Sequence, residues 1–328
     1  MEPRQHQKVK SPSQPGWAAE MQSILNAYES AGGVPAELQA QDVATLVVSS
    51  DKVLTSHEVP GIEFHAKPIE NGVQAYIKVL AQQVIEKPVH LCFGIIPEEG
   101  IQRIVAEYEI EEGAQVRFLA HCSFPNAVKV QHLMDASIHI GENARMEYTE
   151  EHFHGEKGGI VVKPVTRAKV EKGGTYQNTF SLIRGSIGEM DIDMEVDAGE
   201  NALIELHAKA YGVQNDVIKV KELIRLNGKN ARGLAKTRIA VKDAAISEVV
   251  TITEGNAAGA KGHMDCTEIV RDEGKAMNNP IVLVSNAMAQ VTHEAAIGTV
   301  NHKELETLMA RGLNEDEAVD LIIRAMIR

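Results

Sequence analysis

Aromatic residues are scarce, 4% of the 328 residues with a single Trp, which argues against a carbohydrate cleft built on stacked rings. Cysteine is scarcer still. Three thiols, an odd number, cannot staple a chain of this length and point to a reducing cytoplasm. No CxxC pair occurs, so neither a closed zinc site nor a ferredoxin-type cluster is expected. No GxxxxGK[ST] loop is present, so any dependence on ATP must come from a partner. GxSxG and a GxGxxG after a strand are also missing, which removes the hydrolase and dinucleotide readings. No window approaches about 18 consecutive apolar residues, so no membrane-spanning helix is expected. The polar start, Met1-Glu-Pro-Arg-Gln-His, is not that of a secretory signal. Cationic excess is lacking too: 33 Lys and Arg against 46 Asp and Glu leave a net charge of −13, which argues against a nucleic-acid partner.

What is present is a chain able to bury a core, with 44% hydrophobic and 24% charged residues. Residues 1–16 are polar and proline-bearing and read as a frayed tail. Trp17, Met21, Ile24, Leu25 and Tyr28 repeat at helical spacing up to Gly32-Gly33 and Pro35, predicting a helix over 17–31. With the mixed stretch that follows, residues 17–88 read as a small α/β N-terminal region. Within it, Ala44-Thr-Leu-Val-Val-Ser reads as a strand and Ile77–Ile85 as a short strand or helix.

From Val89 the texture changes to short alternating runs such as Ala136-Ser-Ile-His-Ile and Ala202-Leu-Ile-Glu-Leu-His, the period of half-buried strands. A glycine-bearing polar turn recurs as Glu112-Gly-Ala, Gly141-Glu-Asn-Ala, Lys172-Gly-Gly, Ala198-Gly-Glu-Asn-Ala and Asn227-Gly-Lys-Asn-Ala, with glycines at 113, 141, 173, 199 and 228. Spacing near 30 residues with repeated punctuation predicts a solenoid, and two or more strands per coil fit it better than a propeller blade. Residues 89–299 are therefore expected to form a β-helix. Asn301 with Glu304 and Asn314 with Glu317 read as helix starts on either side of Gly312, so 300–328 is expected to be a helical hairpin that covers an open solenoid edge.

The end of the chain carries a specific pattern. Val291-Thr-His-Glu-Ala-Ala-Ile-Gly-Thr is followed by Leu305-Glu-Thr-Leu-Met-Ala-Arg-Gly-Leu-Asn-Glu-Asp-Glu-Ala. This resembles the SufB/SufD family of iron–sulfur cluster assembly proteins, whose hallmark is a His-Glu-Ala segment, a helix, an Arg-Gly-Leu turn and an acidic second helix. The match is nearly residue for residue over 291–318. Upstream, Gly262-His-Met-Asp-Cys266 lies where the family often carries a cysteine in its cluster-assembly region. The resemblance covers about residues 90–328 and is that of a short, archaeal-type member, with 1–88 as a reduced N-terminal region. It implies a right-handed parallel β-helix with helical N- and C-terminal caps. It also implies a non-enzymatic scaffold that builds transient Fe–S clusters and passes them on, working with a SufC-like ABC-type ATPase. Docking of that ATPase falls to the C-terminal helices, with Leu305, Leu308, Arg311, Gly312 and Leu313 as the interface. A homodimer, or a pairing with a second SufB/SufD-like subunit, completes the expected assembly.

Cys266 is the leading candidate for cluster or sulfur binding, because clusters need thiolates and its neighbours His263, Asp265, Thr267 and Glu268 suggest an accessible thiol. His293 and Glu294 fall on the family's His-Glu positions. Adjacent strand residues face opposite ways, so His293 is favoured as the ligand. Thr292 stands where the scaffold subunit often has Glu, which keeps open a structural subunit that binds no cluster. Cys122 is read as a sulfur relay or as core, and Cys92 as core. His263, and His152 with His154 two residues apart on a strand, are weaker metal candidates. Asp191, Asp193 and Glu195 share one face and would be the support for a carbohydrate-active enzyme on a solenoid; a charged solvent face is the simpler reading.

Overall fold

The computed structural model describes residues 17–30 and 33–327; the expected tail over 1–16, Ala31, Gly32, Arg328 and the side chain of Trp17 lie outside the described residues. Helix α1 (Trp17–Ser30) leads into two hairpins, β1 (Thr45–Ser49) with β2 (Lys52–His57) and β3 (Ile62–Ile69) with β4 (Gly72–Val79). Then follow β5 (Val89–Gly94), β6 (Glu99–Ile110), β7 (Gln115–Phe124), β8 (Lys129–Ile140), β9 (Arg145–His154), β10 (Ile160–Val170), β11 (Thr175–Leu182) and β12 (Glu189–Ala198). The series continues with β13 (Leu203–Gly212), β14 (Val217–Leu226), β15 (Arg232–Val241), β16 (Ile246–Gly255), β17 (Lys261–Val270), β18 (Lys275–Val284) and β19 (Gln290–Gly298), and closes with helices α2 (His302–Met309) and α3 (Glu315–Ile327).

From β5 onward the chain alternates between two sheets, one of ten strands ordered β19-β17-β15-β13-β11-β9-β7-β5-β1-β2 and one of nine ordered β18-β16-β14-β12-β10-β8-β6-β4-β3. Neighbours two strands apart pair in parallel and in register, so each pair of strands is one coil of a β-solenoid. The stretch before residue 89 is not a separate α/β unit. β1 pairs in parallel with β5 and β4 with β6, while the antiparallel hairpins close that end. Ile77 belongs to a strand rather than a helix.

Alternation fixes the core. β12 buries Met190, Ile192, Met194, Val196 and Ala198 and leaves the acidic residues between them partly exposed. Asp193 and Glu195 form ion pairs there with Arg167 and Lys221, so this acidic face is a solvated ion-pair ladder.

The corners explain the near-30 repeat. Gln82, Gly113, Asn143, Gly173, Asn201, Asn230 and Gly259 all have φ between 55° and 73°, the left-handed region that Gly and Asn tolerate. The backbone N–H at a corner donates to the next coil: that of Asn143 to the Lys172 carbonyl at 2.9 Å, and that of Asn201 to the Lys229 carbonyl at 2.8 Å. Gly141, Gly199 and Gly228 lie two residues before the left-handed residue, whereas Gly113 and Gly173 occupy it, which makes the glycine spacing taken alone uneven. At five of these corners an alanine follows the left-handed residue (Ala114, Ala144, Ala202, Ala231, Ala260) and is buried, because a small side chain lets coils stack. Gly228 is needed for close approach: a Cβ there would meet the Glu200 nitrogen at 2.0 Å. Gly228→Ala is expected to cost about 3 kcal/mol, read as a lower denaturant midpoint at unchanged slope; an unchanged midpoint would show that the corner can give way.

The helices lie against the outer face of the ten-stranded sheet. Ile24, Leu25 and Tyr28 of α1 pack on Val47 and Cys92. Leu305, Ala318, Val319, Ile322 and Ile323 of the C-terminal pair pack on Tyr211, Ala240 and Ile269. Asn301 caps α2 through the N–H groups of Lys303 and Glu304, and Asn314 and Glu317 form a reciprocal capping box before α3. The expectation that the C-terminal helices cover the open edge is therefore corrected: they clasp the flank, and β18 and β19 end the two sheets with residues 292–299 all exposed.

Candidate functional site

Residue alternation decides which candidates meet. On β17, Gly262, Met264, Cys266 and Glu268 face the interior, and His263, Asp265 and Thr267 face out. In the parallel register Met264 pairs with His293, Cys266 with Ala295, and Asp265 with Glu294. His293 thus opens into the same interior as Cys266, one strand over and diagonal to it, while Glu294 sits on the outer face. His263 is also outside, its Nδ1 2.8 Å from Thr292 Oγ1, so it does not join Cys266.

Cys266 is only 1% exposed, which corrects the expectation of an accessible thiol. Of its polar sequence neighbours, only Glu268 shares its face. Its Sγ lies 3.5 Å from Thr251 Oγ1. The next coil places Ala295 over Cys266 and Pro280 over Thr251, small side chains at the mouth of the solenoid. Two carboxylates line this interior, Glu268 and Glu222. Glu268 accepts from Ser247 Oγ at 2.5 Å, and burial pushes its pKa up to about 7. Glu222, in register with Thr251, is pushed by burial to about 8.

A second constellation lies midway along the solenoid. Cys122, His152 and His154 all face the interior and are no more than 5% exposed, so the two histidines do not sit on a solvated strand. His132 joins them from the other sheet: one ligand atom each of Cys122, His132 and His152 lie within 4.8 Å of one another. Glu150 Oε1 is 2.6 Å from His152 Nε2 and 3.9 Å from Cys122 Sγ. His154 Nδ1 faces the Ser186 carbonyl at 3.1 Å, and its Nε2 faces His152 Nδ1 at 3.3 Å. Burial holds His132 well below the ordinary histidine range and His154 at about 3, and raises the Cys122 thiol. Cys92 is under α1, pushed by burial to about 12. The sequence does carry a signal for His132 and Glu222: each occupies an apolar register, between Val130 and Met134 and between Val220 and Ile224.

Of the residues expected to meet a partner, Leu305 is buried against the solenoid and is corrected to a packing residue. Leu308 and Leu313 are partly buried in the same cluster, and Arg311 and Gly312 are exposed in the turn. A groove of about 680 Å³ runs between α2 and α3, lined by Thr307, Leu308, Leu321 and Met326 among others.

The fold is thus a two-sheet parallel β-solenoid, with Cys266 buried beneath the exposed residues of its last coil. The family model of the SUF system FeS cluster assembly, SufBD core domain, matches residues 103–326. The chain is 38% identical over 308 residues to an iron-sulfur cluster assembly SufBD family protein of Methanocaldococcus jannaschii, covering 94% of this chain and 98% of that one. It is 33% identical over 308 residues to a protein of the same description from Pyrococcus horikoshii, covering 94% of each. The chain belongs to the SufBD family of iron–sulfur cluster assembly proteins.

Proposed function

We propose that two chains join end to end through β18 and β19 and hold a nascent Fe–S cluster, their cargo, between the Cys266 and His293 pairs of both. The chain catalyses no reaction of its own. An ABC-type ATPase partner docks on the α2–α3 groove and supplies ATP hydrolysis, and the finished cluster passes to acceptor proteins.

The observation that carries this reading is the last coil, which no other described residue covers. Met277, Leu283, Val284, Met288 and Ile297 are each at least half exposed there. The Gln290 N–H donates to the Ala260 carbonyl, so alternation aims the N–H groups of Val291, His293, Ala295 and Ile297 at the free edge. Such a row of donors beside apolar side chains is a template for strand addition. A two-fold pairing of that edge would bring two thiols and two imidazoles to one place. That ligand set suits a labile cluster, which must be released.

Anaerobic reconstitution with ferrous iron and sulfide is expected to give sulfur-to-iron charge-transfer absorbance that Cys266→Ala largely removes. An unchanged spectrum in that variant would take Cys266 out of the ligand set. The burial of Cys266 favours one second reading, a structural subunit that binds no cluster. It predicts co-purification with the ATPase and no iron in any anaerobic preparation.

A further inference from the structure

The interior midway along the solenoid holds a histidine with no role in the end-to-end arrangement. His132 is fully buried, and neither of its ring nitrogens has a hydrogen-bond partner among the described residues. A neutral imidazole has one donor and one acceptor to satisfy, and leaving them unmade in a core is costly. A pure packing role would be filled better by Phe or Leu at the same register. Phe124 and His152 do lie against the ring, but they offer it no hydrogen bond. What does converge on it is a donor set: the Cys122 sulfur and a His152 nitrogen lie with a His132 nitrogen inside 4.8 Å.

The geometry assigns to Cys122, His132 and His152 a binding site for one divalent first-row transition-metal ion, Zn²⁺ or Fe²⁺, inside the middle coils. One thiolate and two imidazoles are a borderline-soft set, matched to these ions and ill suited to Mg²⁺ or Ca²⁺. Glu150, beside both Cys122 and His152, completes the charge balance. A thiolate and a carboxylate offset the two positive charges, so the buried group is neutral overall. Ligand bonds of about 2.0–2.3 Å require the donors to draw together by roughly an ångström from their present separation. The three ligands come from three strands in both sheets, β7, β8 and β9, so an ion here would staple the solenoid across its interior. This site lies several coils from Cys266 and does not depend on a cluster forming at the end.

The test uses the full chain and Co²⁺ as the spectroscopic probe. One equivalent of Co²⁺ is expected to give tetrahedral d–d bands and a sulfur-to-cobalt band; Cys122→Ser should abolish the latter, and Cys266→Ala should retain it. Retention in Cys122→Ser would overturn the assignment. Because Cys122→Ser could unfold the chain, His132→Phe supplies the second arm. Equimolar Zn²⁺ should raise the thermal midpoint of the unaltered chain and leave that of His132→Phe unmoved. Midpoints insensitive to Zn²⁺ and to chelator in both proteins would contradict the site. Metal analysis of anaerobically purified protein then distinguishes zinc from iron.

Discussion

Ala295→Pro on β19 is expected to leave the solenoid folded and to abolish end-to-end association. The position is chosen by hydrogen-bond direction. The Gln290 N–H faces β17, so the Ala295 N–H, five residues on, faces the free edge, and proline there removes no bond of the existing ladder. The protein already shows this tolerance: the Lys275 N–H faces β16, which puts Pro280 of β18 at a free-edge position. That proline leaves β18 one donor short, so β19 is the better edge for pairing. Sedimentation should show the unaltered chain as a dimer and Ala295→Pro as a monomer of 35.7 kDa with the same far-ultraviolet circular dichroism. A dimer in both would place the contact elsewhere.

The second large effect is on stability against pH. Glu222 is fully buried with one oxygen unpartnered, and its pKa rises from 4.5 to about 8. Between those values the folded chain holds a proton that the unfolded chain has lost, so stability falls as pH rises through the window. The loss from this residue is on the order of 4 kcal/mol by pH 8. Glu222→Gln should therefore match the unaltered chain near pH 5 and exceed it at pH 8, in denaturant midpoints at both values. Parallel pH profiles for the two proteins would show that Glu222 is ionised in the fold. Glu268, raised to about 7, adds a smaller loss of the same sign over a narrower window.

Much of the architecture is legible in the sequence because it rests on short-range rules. Alternation marks the strands, and recurring Gly- and Asn-bearing corners mark the coils. The capping pairs at Asn301 and Asn314 mark α2 and α3. How the N-terminal strands join the solenoid is not legible, since Thr45 of β1 pairs in parallel with His90 of β5 across a gap that no local pattern reports. Where the helices pack is equally hidden: Tyr211, Ala240 and Ile269 are outward strand residues whose burial depends on a helix far along the chain. At the site, sequence adjacency misleads. His263 and Asp265 flank Cys266 in the chain yet face the other way, while Thr251 meets it from the opposite sheet. His132 and Glu222 are readable in principle as polar residues in apolar register.

The most direct test of the shared end site is size-exclusion chromatography of the anaerobically reconstituted chain, with light scattering, visible absorbance, and iron and acid-labile sulfide measured across the peaks. The chromophore is expected in the dimer peak alone, at one cluster for two chains, with a colourless monomer peak. Colour, iron and sulfide on the monomer at one cluster per chain would contradict a site built from both chains.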